Sequence, residues 1–578
     1  MKNKFSHLSN LVVLVYPEES INSAVSLISK RSKEVKNKGI ALVINKNYKL
    51  LGVLTDGDIR RAYVSKISFN KSVSEIMVSD PLSLNDNIPF EDIIMEVRKL
   101  AINSKKLSSD WIRYIPIIDN EGYLLNIYDY FDLIQTRGSE HKKVAVFGLG
   151  FVGITLAVAL ANRGHQLTGL DVNEELLEKI NKGELHVYEP GLNDMLNSTK
   201  RTKKIKFDKS ITDKSHEIYI IAVGSPLDSS SRPDLKALNS VLEIIGPLLK
   251  KGDLVLLRST VPCGTTRNFV IPKLEQLSSM LVGKDFHISF SPERTVEGKA
   301  MQELRTLPQI VGGFSSRCLQ LASNFWSTLT PTVVQVASIE AGELVKLANN
   351  TFRDLSFAFA NELALLADTS NINAFDLINA ANKGYPRNNI PLPSPGVGGY
   401  CLTKDPILFG STLNGPIPEI ILGRSSREVN ERAAMYPIEI LNRYSNRINK
   451  PLIDFTVLII GLAFKGNPET NDLRGSVSLD ISNFLKDKVH ELLCWDAVVK
   501  HHEIEKQGLN PISSLDIDLN KVDAILMLNN HKLNIKFNWS VSSLGSCLIF
   551  DGWSQLDVSE IEKIDGLTYA TMGYMSPN

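Results

Sequence analysis

The sequence predicts an α/β protein in which two parallel-sheet domains are joined by a helical domain and preceded by a smaller module of short strands and helices. Three observations predict it. At 578 residues the chain is too long for one core and fits roughly three to five domains. Two apolar runs, Lys143–Phe147 and Thr456–Ile460, each open a stretch where short strands alternate with helical segments. Between them, residues 340 to 368 hold no proline and no glycine after Gly342, which predicts a long helix.

Composition excludes several classes. Lys plus Arg and Asp plus Glu both number 64, so no charge excess points to nucleic acid or an anionic membrane surface. Cys263, Cys318, Cys401, Cys494 and Cys547 are dispersed without a CxxC pair, which argues against structural zinc, any other metal site and a disulfide framework. Residues 1 to 15 lack the apolar stretch of a signal peptide. Apolar runs such as 455 to 464 fall short of the ~20 residues a membrane helix needs. A soluble cytoplasmic protein is expected.

Taken in order, residues 1–138 read as strands Ile40–Ile44 and Leu50–Leu54 and a helix Asp58–Val64. A second pass follows with Val73–Met77, Pro81–Leu84, a helical Phe90–Leu100, and strands Ile115–Ile118 and Tyr123–Ile127. The unit resembles a tandem pair of CBS modules, with Gly52-Val53-Leu54-Thr55-Asp56-Gly57-Asp58 the best-matched segment. In that family the threonine and aspartate meet an adenine nucleotide, which marks Thr55 and Asp56. The second half reads Asn126-Ile127-Tyr128-Asp129 and lacks the pair, so ligand sensing and an assembly role both stand.

Polar residues 135 to 143 suit a linker, and a new domain starts behind it. Strand Lys143–Phe147 runs into Gly148-Leu149-Gly150-Phe151-Val152-Gly153, a helical Ile154–Asn162 follows, and strand Gln166–Leu170 ends in Asp171. This is the Rossmann dinucleotide fingerprint in its strand–helix–strand context. Gly148 permits the tight turn, Gly150 the approach of a pyrophosphate to backbone, and Gly153 close packing of helix on strand. Asp171, 23 residues past Gly148, stands where a carboxylate binds the ribose 2′-OH and repels a 2′-phosphate, which favours NAD over NADP. Strands Ile218–Val223 and Leu254–Arg258 extend the sheet and put Ser225 and Thr260 at its ligand-binding edge.

In the long helix Leu355, Phe359, Leu363 and Leu366 recur at helical spacing and predict burial. Lys346 and Asn350, four apart, share a face. So much apolar surface suits a dimer interface as well as a core. Next comes Gly398-Gly399-Tyr400-Cys401-Leu402-Thr403-Lys404-Asp405, a thiol beside two charged groups behind a glycine turn. Lys404 there favours the thiolate and Asp405 holds a water or takes a proton. A helical stretch around Arg424–Asn442 leads to a last domain. Its strands are Thr456–Ile460, Glu491–Trp495 ending in Asp496, Ala524–Leu528, and Leu548–Phe550 ending in Asp551. It imitates a nucleotide-binding domain without GxGxxG.

Residues 142 to 575 resemble the UDP-glucose/GDP-mannose dehydrogenase family. The carriers are the fingerprint with Asp171, Tyr188-Glu189-Pro190-Gly191, Ser259-Thr260-Val261-Pro262 and Ser291-Pro292-Glu293-Arg294 with Glu297. Lys346 with Asn350, the cysteine segment, and Gly461 to Lys465 with Asp472-Leu473-Arg474 complete them. The resemblance implies two Rossmann-like parallel-sheet domains joined by a helical dimerisation domain, preceded by the tandem CBS module. The boundaries are 1–138, 142–335 for NAD, 336–445 for the central domain and 450–578 for a UDP-sugar.

It further implies oxidation of the C6 alcohol of a nucleotide-linked sugar to a carboxylate, with two NAD reduced per sugar. Cys401 becomes the nucleophile that carries a thiohemiacetal and then a thioester. Lys346 stabilises oxyanion charge, Asn350 hydrogen-bonds the same oxygen, Asp405 and Thr260 organise the catalytic water, and Glu297 does acid/base work. Gly148, Gly150, Phe151, Val152, Gly153, Asp171, Ser225, Thr260, Lys404 and Arg474 fall to the cofactor. Lys404 therefore has two readings, cofactor contact and thiolate partner. Glu293, Lys346, Asn350, Arg387, Gly398, Gly399, Phe464 and Lys465 fall to the substrate.

Arg387, fourteen positions before Cys401, matches an arginine that reaches a neighbouring subunit, which implies a homodimer or higher oligomer. The wording of residues 385–399 and 350–354 leans towards the UDP-N-acetylhexosamine branch, with a role in surface polysaccharide synthesis. Trp553 stands where the family often has arginine. The alternatives are a UDP-glucose 6-dehydrogenase and a CBS sensing or assembly protein with a secondary dehydrogenase body. A 3-hydroxyacid dehydrogenase accounts for the NAD domain and the lysine helix but gives no reason for Cys401 with Asp405.

Overall fold

The computed structural model describes residues 8–577 except 32–34, 36–38, 89–92, 94–95, 98–113, 130–140, 414, 416–419, 516–520 and 537–545. The chain divides into two compact units, Met1–His141 and Lys142–Asn578.

In the first unit β1 (Val13–Val15), β2 (Ile40–Ile44) and β3 (Leu50–Thr55) form one sheet in that order. β4 (Leu84–Asn85), β5 (Tyr114–Ile118) and β6 (Leu124–Asp129) form a second. Each sheet has a parallel pair followed by an antiparallel hairpin, and each hairpin carries a bulge at the same place, Val43/Ile44 and Ile117/Ile118. The turns match as well: Asn45 N and Asp119 N each donate to the carbonyl four residues on, both at 3.0 Å. Period-2 alternation along β2 sends Ala41 and Val43 to the first half's own core, while Ile40, Leu42 and Ile44 pack with Leu124 and Ile127 of the second half. The expected run Val73–Met77 is a single 3-10 turn, Val73–Glu75, and the strand near 81–84 is Leu84–Asn85. Most of the helix expected at Phe90–Leu100, and the linker up to residue 140, lie outside the described residues.

The second unit holds two sheets. β7 (Lys143–Phe147), β8 (Gln166–Leu170), β9 (Ile205–Asp208), β10 (Ile218–Ile221), β11 (Leu254–Leu257), β12 (His287–Phe290), β13 (Gln309–Gly313) and β14 (Val333–Val336) run in the order β14-β13-β12-β11-β10-β7-β8-β9. Only the β12–β13 pair is antiparallel. β15 (Thr456–Ile460), β16 (Glu491–Trp495), β17 (Asn510–Pro511), β18 (Ala524–Met527), β19 (Cys547–Asp551), β20 (Leu567–Thr571) and β21 (Tyr574–Met575) run β17-β16-β15-β18-β19-β20-β21, antiparallel only at β20–β21. The inner strands of both sheets, such as β7, β10, β11, β15 and β18, are buried on two faces and read as unbroken apolar runs, whereas the edge strand β9 alternates. Val144 and Val146 face one core and Ala145 and Phe147 another. Val457 and Ile459 likewise face away from Leu458 and Ile460. In each sheet the chain order reverses beside its first strand, at β7–β10 and at β15–β18, where open α/β sheets bind ligands.

Between the sheets lies the helix Ile339–Asp368, capped by Ser338 Oγ accepting from Ala341 N. Of the stripe expected to be buried, Leu355 and Leu363 are half-buried and Phe359 and Leu366 are open, with Phe352 exposed beside them. Phe352, Phe359 and Leu366 are 70%, 55% and 66% exposed, while Glu343, Lys346, Asn350, Asp354 and Asn361 are buried. Burial of Glu343, Asn350, Asp354 and Asn361 is tolerated because their partners are supplied. Asp354 accepts from Arg427 Nη1 at 2.8 Å, Ser426 Oγ at 2.8 Å and Asn430 Nδ2 at 2.9 Å. The stretch expected as one helix around Arg424–Asn442 is two, Leu422–Ala434 and Tyr436–Ile448, since Pro437 cannot donate into the preceding turn.

Candidate active site

The fingerprint loop has the shape its glycines require. Gly148 has φ +89°, nothing lies within 4 Å of where a Gly150 Cβ would sit, and a Gly153 Cβ would run into Gly148 O. Gly150 caps the helix Phe151–Asn162, so that helix begins three residues earlier than the apolar pattern indicated. Its first N–H groups, at Phe151 and Val152, have no intrahelical partner, and with the open space at Gly150 this helix N-terminus suits phosphate oxygens. Asp171 accepts from Leu149 N at 2.8 Å and Asn173 N at 3.0 Å, which fixes the loop and leaves lone pairs for hydroxyls. Ser225 Oγ donates to Thr260 O, tying together the loops after β10 and β11. These residues fit a dinucleotide.

Cys401 is the second residue of the helix Tyr400–Phe409, where the helix dipole favours a thiolate. Its N-cap Gly399 has φ +92° and donates to Gly475 O at 2.9 Å. A Cβ on Gly399 would meet the Phe464 ring at 2.8 Å, and one on Gly398 would meet Gly475 O at 2.5 Å. The two glycines therefore let the cysteine helix abut the last domain.

The thiol is open to solvent on one side but otherwise crowded by protein. That crowding pushes its pKa up; the Lys346 ammonium pulls it back most, ahead of Lys404, while Asp405 and Glu297 push it further up. Of the two cations that favour the thiolate, Lys346 acts more strongly than the expected Lys404. Lys404 Nζ is spent on Asp405 Oδ1 at 2.7 Å, whereas Lys346 has no ion-pair partner among the described residues. Asn350 Nδ2 donates to Asp405 Oδ2 at 2.6 Å, so Asp405 bridges the cysteine helix to the long helix.

Glu297 enters from the NAD-type domain. Its carboxylate accepts from Thr470 Oγ1 at 3.0 Å and lies 3.8 Å from Arg474, and its carbonyl accepts from Lys465 Nζ at 2.8 Å. Burial, with the Asp472 carboxylate nearby, raises its pKa to about 7, against the Thr470 hydrogen bond and the charges of Lys465 and Arg474. Burial pulls the Lys465 pKa down. Glu293, expected at the substrate, is buried. It is paired with Arg258 and accepts from Arg294 N and Thr295 N, both at 2.7 Å.

Arg387 is exposed and stacks over Tyr385 at 5.6 Å, apart from the other site residues. In the first unit Thr55 Oγ1 is committed to a capping box with Asp58, donating to Oδ2 at 2.6 Å. Asp56 lines a cleft of about 330 Å³ with Val25, Ile28, Ser29, Ile59 and Arg60. Trp553 Nε1 donates to Leu528 O at 3.0 Å, which packs the end of the last sheet.

Sequence reasoning missed several groups. The Tyr400 ring lies 5.3 Å from Lys404 Nζ and 5.2 Å from the Arg474 guanidinium, which gathers two of the expected cofactor contacts. Glu343 accepts from Gly264 N at 2.6 Å and Thr266 N at 2.8 Å, fastening the loop after Thr260 to the helix of Lys346. Glu189 accepts from Gly298 N at 2.8 Å and Met301 N at 3.2 Å, holding the residue after Glu297. Glu189 and Tyr400 had a signal, their places in Tyr188-Glu189-Pro190-Gly191 and in the cysteine segment; Glu343 had none.

Comparison with known proteins agrees with this architecture. Models of the UDP-glucose/GDP-mannose dehydrogenase family match at residues 142–330 (NAD binding domain), 340–432 (central domain) and 458–558 (UDP binding domain). A CBS domain model matches residues 9–65. A UDP-N-acetyl-D-mannosamine dehydrogenase of Pyrococcus horikoshii is 32% identical over 415 residues, 71% of this chain and 95% of that one. An NDP-N-acetyl-D-galactosaminuronic acid dehydrogenase of Ralstonia solanacearum is 31% identical over 403 residues, 68% of this chain and 92% of that one. The solved UDP-D-ManNAc dehydrogenase from Pyrococcus horikoshii superposes with a TM-score of 0.67 at 30% identity, over 75% of this chain and 99% of that one.

Two nucleotide-type sheets around a cysteine helix define a nucleotide-dependent oxidoreductase. The chain belongs to the UDP-glucose/GDP-mannose dehydrogenase family. It is an NAD-dependent nucleotide-sugar dehydrogenase with an N-terminal CBS domain. No helix among the described residues is long and apolar enough to cross a membrane.

Proposed function

We propose that the chain oxidises the C6 alcohol of a UDP-N-acetylhexosamine to the uronate in two steps without releasing the aldehyde, supplying an acidic sugar for a surface polysaccharide. The observation that carries the reading is the convergence on Cys401 of Lys346, Lys404, Asp405 and Glu297 from three parts of the chain. The names of the relatives from Pyrococcus horikoshii and Ralstonia solanacearum support an N-acetylated sugar.

NAD, when bound, supplies the hydride acceptor, twice per sugar. The chain supplies the rest. Cys401 Sγ adds to the aldehyde carbon and makes it tetrahedral, so that its C–H can leave as hydride while the O–H proton is lost and the C=O re-forms as a thioester. The raised thiol pKa means that its proton leaves as the bond forms, with Glu297, half ionised near pH 7, as acceptor. Lys346, buried and with no ion-pair partner among the described residues, faces the oxyanion charge that appears at each stage, and Asn350 holds Asp405. Glu297 gives the thiol's proton up to solvent before the last step. Water then attacks the thioester carbon, Glu297 takes the water's proton, the C–S bond breaks and Cys401 leaves as the thiolate.

The exposed stripe of Phe352, Phe359 and Leu366 supports a homodimer, with Arg387 reaching the partner's substrate. In the first unit the cleft beside Asp56 favours a second, regulatory reading, an adenine nucleotide bound there.

The test is NADH yield from a panel of UDP- and GDP-sugars. Two NADH per UDP-N-acetylhexosamine are expected, with Cys401→Ser keeping NAD affinity and losing acid formation. One NADH per sugar, or an aldehyde as final product, refutes the reading. Calorimetry of the full chain with AMP and ATP, alongside Asp56→Ala, tests the cleft.

A further inference from the structure

The side chains that hold Glu297 all come from the last domain, although Glu297 itself belongs to the NAD-binding one. Thr470 is buried, and its hydroxyl has a fixed polarity. Oγ1 accepts from Asp472 N at 3.1 Å, so its proton is free to point at Glu297 Oε2, 3.0 Å away. Three further contacts cross the same boundary. Lys465 Nζ donates to Glu297 O at 2.8 Å, Tyr188 N donates to Asn471 Oδ1 at 3.2 Å, and Tyr188 OH donates to Glu469 Oε2 at 3.1 Å. At Gly298 the two domains touch backbone to backbone, since a Cβ there would meet Glu469 O at 2.5 Å.

We infer that Thr470 is a positioning residue that orients the Glu297 carboxylate across the domain boundary, so that the acid/base group is complete only when the UDP-binding domain is docked on the NAD-binding domain. This deepens the acid/base role proposed above and rests on it. The groups around the carboxylate are Asp472, Lys465 and Arg474 from the last domain and Cys401 from the cysteine helix, with Glu189 fastening Gly298 from its own domain. Removing the Thr470 hydroxyl takes away a hydrogen bond that favours the charged carboxylate. Glu297 then titrates at higher pH and is less often ionised at neutrality.

Two profiles test this in wild type, Thr470→Val and Thr470→Ser. The first is kcat against pH with KM for NAD. The second is the rate of Cys401 alkylation by iodoacetamide against pH without substrate, which reads the Glu297 charge through its field on the thiol and is calibrated by Glu297→Gln. Thr470→Val is expected to lose about tenfold in kcat at pH 7, from one charge-assisted hydrogen bond, with KM for NAD unchanged. Its kcat profile moves to higher pH. The Glu297-dependent inflection of its alkylation profile moves the same way, with alkylation faster than wild type around neutrality because a neutral Glu297 no longer opposes the thiolate, and Thr470→Ser restores both. Wild-type positions in Thr470→Val, a Thr470→Ser that shifts as far as the valine, or a wild type with no inflection to move overturn the inference. If no sugar nucleotide yields NADH, the function fails, and the alkylation profile still decides the Thr470 contact.

Discussion

Gly399→Ala separates backbone strain from damage to the site. At φ +92° and ψ 141° a side chain is strained by about 1–3 kcal/mol. The new Cβ also lands 2.8 Å from the Phe464 ring, and relieving that overpacking costs a further ~1–3 kcal/mol. The sum, about 2–6 kcal/mol, is a large part of a typical domain's 5–15 kcal/mol. Gly252→Ala is the control. It carries the same kind of strain at φ +89°, but nothing lies within 4 Å of its Cβ, so only about 1–3 kcal/mol is expected. Urea unfolding reads both. If the chain relieves the clash by moving the cysteine helix about 1 Å, Gly399→Ala loses roughly 100-fold in kcat while Gly252→Ala keeps its rate. Equal stability losses with equal activity in the two variants refute the reasoning that Gly399 sets the seat of Cys401 against Phe464.

The raised Glu297 pKa sets a pH dependence. A carboxylate acting as base is active when ionised, so kcat rises with pH through about 7, and Glu297→Gln is expected to lose about 100-fold and flatten that limb in a pH–rate profile. Phe359→Asp puts a charge in the exposed stripe of the long helix and is expected to shift the assembly to monomers in sedimentation velocity, with loss of turnover if Arg387 serves the partner.

Strands read well from sequence where burial on both faces makes them unbroken apolar runs; Ile40–Ile44, Gln166–Leu170 and Thr456–Ile460 are where the pattern puts them. The same logic misplaced the long helix. Periodicity reports that Leu355, Phe359, Leu363 and Leu366 share a face, not which face the chain buries. Asp354 and Asn361 turn the other one inward because Arg427, Ser426 and Asn430 wait there to satisfy them. The thiol, Lys346, Asn350 and Asp405 were legible as motifs. The partition of Lys404 to Asp405, the bracing of Glu293 by Arg258 and the reach of Thr470 to Glu297 were not, since each depends on residues 1, 35 and 173 positions apart meeting in space.

The two sheets repeat one local device, and its small differences separate a ligand site from a structural one. Gly148 N donates to Leu170 O and Gly461 N to Trp495 O, both at 2.8 Å, and in each case the acid that follows accepts from the next backbone N–H. Asp171 takes two backbone N–H groups and stays half-buried, so its carboxylate still has capacity for ribose hydroxyls. Asp496 is buried and takes four, from Leu462, Ala463, Val498 and Val499, at 2.7–2.9 Å. Its acceptor sites are filled by the turn itself. Asp171→Ala is therefore expected to weaken NAD binding about tenfold or more in a fluorescence titration, with little change in melting temperature. Asp496→Ala is expected to cost about 2–5 kcal/mol in stability by leaving buried N–H groups without partners, while the folded fraction binds NAD as the wild type does. Reversed outcomes, with Asp496 controlling NAD affinity and Asp171 only stability, would move the cofactor to the last domain and overturn the assignment of the two sheets.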